Sequence, residues 1–90
     1  MYSWGLIETM GDVPAFQVAD TMAIAADVEI VKKVWVGAGL VTIIIKGEIS
    51  AIHMALDAGA AAANQMGCLE ACLAVAHPAK SLTGMIGIEE

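Results

Sequence analysis

Two histidines, two cysteines, two tryptophans and a turn flanked by glycines are the residues of this 90-residue chain whose types could support chemistry. His53 and Asp57 lie one helical turn apart, a spacing that lets a carboxylate orient an imidazole for proton transfer. The same spacing is more often a plain surface pair. His77 could join Cys68 or Cys72 around a metal ion, but the spacing fits no zinc pattern, and a local structural histidine is the simpler reading. On a strand the two cysteines would stand roughly 13 Å apart, too far to bond to each other, so both are expected to be free and buried. Gly37-Ala38-Gly39 could suggest a phosphate loop, but such a loop needs a helix next, and Leu40-Val41-Thr42-Ile43-Ile44-Ile45 reads as strand. Trp4 and Trp35 could stack on a ligand, though tryptophans on strands more often anchor packing or an interface. No catalytic residue, metal centre or cofactor is expected from this set.

The elements that would carry these residues follow from periodicity. Ser3–Thr9 alternates like a strand. Asp12 stands ready to cap a helix, with Pro14 in its first turn. Ala15, Val18, Ala19, Met22, Ala25 and Ala26 then form one apolar face of small residues. Glu29–Val36 and the β-branched Leu40–Lys46 read as strands joined through Gly37-Ala38-Gly39. A second helix starts at Gly47-Glu48 and runs to about Met66. Its Ala58-Gly59-Ala60-Ala61-Ala62-Ala63 stretch has little bulk, so another backbone can come close. Gly67 terminates it. Cys68–Ala76 is the last strand, stopped by Pro78, and Ala79–Ile86 could add a short helical tail. The predicted fold class is α+β, a ferredoxin-like βαββαβ arrangement with helices on an antiparallel sheet, in a single domain over residues 1–90.

Bulk composition says how such a domain must live. Hydrophobic residues make up 59% of the chain, above the usual ~45–50%. A chain this short buries only about 60–65% of its unfolded surface, so the surplus must enter a membrane or meet other subunits. Charges interrupt every apolar run before the ~20 residues a spanning helix needs, and Glu8 and Asp12 fall where a leader would be apolar. Ten acids against four basic residues give a net charge of −6. With no arginine present, nucleic-acid binding is not expected. Self-association of a protein that is not an enzyme is the expectation.

Several stretches, in order, resemble the bacterial microcompartment (BMC) domain family. Gly5-Leu6-Ile7-Glu8-Thr9 is similar to the family's first strand. Ala19-Asp20-Thr21-Met22 with Ala25-Ala26 resembles its first helix, and Gly37-Ala38-Gly39-Leu40-Val41-Thr42 its pore loop and following strand. Lys46-Gly47-Glu48-Ile49-Ser50-Ala51 resembles the short turn into its second helix, and Asp57-Ala58-Gly59-Ala60-Ala61-Ala62 the small-residue face of that helix.

The resemblance implies a structural shell subunit in the bacterial cytoplasm: a cyclic homohexamer that tiles with itself and other shell proteins, with a central pore for small metabolites. Gly37, Ala38 and Gly39 would line that pore. Many relatives carry serine at the middle position, so Ala38 implies a more apolar opening. Asp20, Ile24 and His77 would lie at the hexamer edge. Ile24 stands where many relatives have lysine and His77 where arginine is common, which implies weaker, pH-sensitive or redirected tiling. The alternative class is a small regulatory domain, a ferredoxin-like dimer holding a metabolite between subunits.

Overall fold

The alternating run near the start becomes the middle of the sheet. A computed structural model of the chain describes residues 2–76. Its order is β1 (Ser3–Met10), α1 (Asp12–Ala25), β2 (Glu29–Gly37), β3 (Leu40–Gly47), α2 (Ile49–Gln65) and β4 (Leu69–Ala76). The four strands form one sheet in the order β2-β3-β1-β4, antiparallel at every pairing. This is the expected ferredoxin-like α+β arrangement, with each boundary within two residues of its predicted place. His77, Pro78 and the Ala79–Ile86 tail lie outside the described residues.

Both faces of β3 are buried, which explains its unbroken apolar composition. Val41, Ile43 and Ile45 point to the helices and pack with Ile7, Val18, Met22, Ile52 and Leu56. Ile44 points the other way, into a smaller cluster with Trp4, Leu6, Val31 and Val34. In α1 the buried residues are Ala15, Val18, Ala19 and Met22, all on the predicted face. Its outward face is nevertheless also apolar in part, because Val13, Phe16 and Ile24 are exposed.

The spacing of the helical layer is set by a missing side chain. A Cβ on Gly59 would lie 2.7 Å from Cγ and 2.9 Å from Sδ of the buried Met22, with Val18 close behind. The small stretch of α2 therefore receives α1, as its lack of bulk implied. Gly5 does the same on β1, where a Cβ would meet Ile45 at 2.9 Å and Ile52 of α2 at 3.1 Å.

Two expectations need correction. Asp12 does not cap α1. Gly11 holds the N-cap position with φ 99 and ψ 151, and no side chain caps the helix. The chain must turn through a positive φ at that corner, which glycine reaches cheaply and aspartate does not. Asp12 becomes the first helical residue, where its negative charge still suits the helix N-terminus. Cys72 is exposed rather than buried, because it lies on β4, an outer strand of the sheet. Cys68 is buried as expected and donates its thiol hydrogen bond to the Ala63 carbonyl.

Replacing Gly59 with valine forces branched bulk against Met22 and Val18, and overpacking of this kind costs about 1–3 kcal/mol. A clearly lowered midpoint in thermal or urea unfolding is expected; an unchanged midpoint would mean that the helices can part freely. Thr9 supplies the opposite test. Its hydroxyl is fully buried and finds no partner among the described residues, a state that costs roughly 1–3 kcal/mol. Thr9→Val keeps the shape and removes the orphan, so the same unfolding experiment should give a higher midpoint.

Candidate functional site

The β2–β3 connection is a two-residue turn whose central residues both have positive φ, 55 at Ala38 and 83 at Gly39. Turns of this handedness match the twist of the strands they join. Gly37 precedes them at φ 97, beside a register shift between Trp35 and Gly37. Three consecutive left-handed residues thus shape the tip. Glycine adopts that conformation without penalty, whereas alanine at the middle position costs about 1–2 kcal/mol. All three residues are exposed, so the tip projects a short, largely backbone surface.

The corner between β1 and α1 holds this tip. The Gly11 N–H donates to the Gly39 carbonyl at 2.7 Å. The Trp35 indole N–H donates to the Asp12 carboxylate, and the Met10 thioether lies against Gly39. Sequence reasoning did not find this corner. Met10 and Gly11 belong to no motif, Asp12 reads only as a helix cap, and their partners are more than twenty positions away. The only available signal was the pair of glycines, Gly11 and Gly39, at the ends of neighbouring strands.

The predicted edge residues lie elsewhere. Asp20 and Ile24 stand one turn apart on the outer face of α1, and Ile24 is 79% exposed. Beside them Phe16, Ala19, Asp20, Ala23, Ile30 and Lys33 line an open groove of about 340 Å³. Lys33 crosses it, its ammonium 4.6 Å from the centre of the Phe16 ring. Asp12 to Ile24 spans about 18 Å at the helical rise, so the tip-holding corner and Ile24 lie at opposite ends of α1. His77 lies outside the described residues.

The residues first weighed for chemistry do not come together. His53 and Asp57 are exposed on α2, and no hydrogen bond joins them. Cys72 lies near Asp57. Partial burial, and secondarily the Asp57 charge, push its thiol pKa above the ordinary value, which disfavours the reactive thiolate. Among the described residues no three His, Cys, Asp or Glu side chains are grouped to hold a metal ion, and no helix is long and apolar enough to cross a membrane. Trp4 is an anchor, 2% exposed, whereas Trp35 is the exposed partner of Asp12.

Comparison with known proteins places this geometry. The family described as "BMC domain" matches residues 3–78. The carboxysome shell protein CsoS1A of Hydrogenovibrio crunogenus is 40% identical over 87 residues, which cover 96% of this chain and 91% of that one. The carboxysome shell protein CsoS1 of Parasynechococcus marenigrum is 39% identical over 84 residues, 92% and 82% of the two chains. The crystal structure of a microcompartment protein from Desulfitobacterium hafniense DCB superposes with a TM-score of 0.81 at 25% identity. It matches all of this chain, which spans only 49% of that protein.

The left-handed alanine at the tip gives a direct test of its backbone. Asparagine tolerates this conformation far better than alanine and favours the first central position of such turns. Ala38→Asn should therefore raise stability by about 0.5–1 kcal/mol, read as a higher midpoint in urea. A lower midpoint would mean that the turn is not left-handed at Ala38.

Proposed function

The chain belongs to the BMC domain family, and from that premise we propose that it is a structural shell subunit of a bacterial microcompartment rather than an enzyme. Its proposed place is the shell within the bacterial cytoplasm, with further copies of itself and other shell proteins as its partners. The observation that carries this reading is the near full-length similarity to carboxysome shell proteins.

The surface supports it. Val13, Phe16, Ile24, Trp35, Val36, Met54 and Leu73 are large hydrophobic side chains left exposed by the isolated chain. They lie on α1, β2, α2 and β4 rather than in one patch, as suits a subunit with neighbours on several sides. Cyclic closure buries matching surfaces in every copy at once. In the proposed homohexamer the Gly37-Ala38-Gly39 tips meet about the axis and line a narrow pore for small metabolites. With methyl groups at Ala38, that pore offers backbone groups but no side-chain hydroxyls to a passing solute. Asp20 and Ile24 on α1, together with His77, are the proposed contacts between tiles. An isoleucine there gives an apolar contact in place of a charged, hydrogen-bonding one.

The native mass of the purified protein at moderate salt tests the reading. A dominant six-subunit species is expected, with flat sheets visible by electron microscopy wherever the α1 edge is self-compatible. A dimer that binds a metabolite saturably would instead favour a regulatory ligand-binding domain.

A further inference from the structure

The β1–α1 corner holds the turn tip through three successive residues, each in a different way. Gly11 makes the backbone hydrogen bond to the Gly39 carbonyl, at 2.7 Å. The Met10 sulfur lies 3.2 Å from where a Cβ on Gly39 would sit, and among the described residues, its chain neighbours apart, no other atom lies within 4 Å of that point. Asp12 accepts the indole N–H of Trp35, on the opposite arm of the hairpin. The tip is thereby held from both arms by a segment that is itself anchored. Met10 donates its N–H to the Cys68 carbonyl at 2.9 Å, and Asp12 opens α1.

Holding is needed because the tip has little to fix it otherwise. Among the described residues, its chain neighbours apart, Gly37 has nothing within 4 Å of its absent side chain, and Gly37, Ala38 and Gly39 are all exposed. A two-residue hairpin tip of this kind would sway with the free end of its ribbon. At a symmetric axis a small sway repeated in six copies changes the opening by far more than it changes any one subunit.

We propose that Met10, Gly11 and Asp12 are positioning residues that fix the pore-loop tip, with the Trp35–Asp12 hydrogen bond as the latch that sets the aperture. This rests on the pore reading above. It goes beyond that reading by assigning control of the opening to residues that do not line it. Neither Asp12 nor Trp35 need touch a solute to alter its passage.

The test uses amide hydrogen exchange and ion conductance on the same assembled protein. Trp35→Phe removes only the donor and keeps an aromatic ring; Asp12→Ala removes the acceptor. Each should speed exchange at Leu40 and at the Gly11 amide, which is bonded to the tip, by about 5-fold, the scale of one partly exposed hydrogen bond. Exchange at Ile43, Ile44 and Ile45 should stay as in the wild type. The double variant should be no faster than either single one, because both remove the same bond. In planar bilayers with potassium chloride, either single variant should change the unit conductance. Met10→Ala should loosen the tip in the same way through lost packing.

Unchanged exchange at the tip would overturn the proposal. So would an equal increase along β3, the mark of general destabilisation, or a loosened tip with unchanged conductance. A wild-type hexamer that carries no current would overturn the pore reading and the aperture role with it, while the exchange pattern still decides whether the corner holds the tip.

Discussion

Everything in this domain depends on how closely its two helices can lie on the sheet and on each other. Met22 is fully buried against the bare backbone of Gly59, and Ile52 sits where Gly5 carries no side chain. Hydrophobic burial scales with area removed from water, and a chain of this size cannot waste any. Small residues at the layer contacts let large ones from the opposite element fill the gap. The helices then cover Ile7, Val41, Ile43 and Ile45 completely.

The close fit inside has a consequence outside. The inner faces of the helices hold only a few large residues, Val18, Met22, Ile52 and Leu56, among small ones, while the apolar residues Val13, Phe16, Ile24 and Met54 stand on the outside. An isolated chain would keep that surface in water. The proposed six-fold closure and tiling would give that surplus somewhere to go. The acidic balance of the chain, −6 overall, sits comfortably with an apolar, self-recognising surface, since repulsion among copies discourages random clumping without preventing a matched contact.

The candidate site depends on backbone shape rather than on reactive side chains. Three left-handed residues in succession make a short tip, and the neighbouring corner ties it down. Cys72 fits the same picture. Its thiol is held protonated by partial burial and by Asp57, so the exposed cysteine is poorly suited to nucleophilic work at neutral pH.

Residue order alone was enough to establish the kind and succession of every described element. Alternation in Ser3–Thr9, the β-branched run Leu40–Lys46 and the small-residue faces of both helices are local patterns, and local patterns survive into any compact state the chain can reach. Gly37-Ala38-Gly39 was legible as a turn for the same reason, as were the free Cys68 and the terminator Gly67, at φ 70. The rest was settled only when the layers packed. Packing put Gly11, not Asp12, at the N-cap of α1, because the angle of that corner is set by where β1 ends relative to β3. It left Cys72 exposed, because strand order rather than residue type made β4 an outer strand. It also joined Asp12 to Trp35 and Met10 to Gly39, contacts between residues distant in sequence. No periodicity encodes such pairs: they exist only once the sheet register has brought two strand ends to one corner.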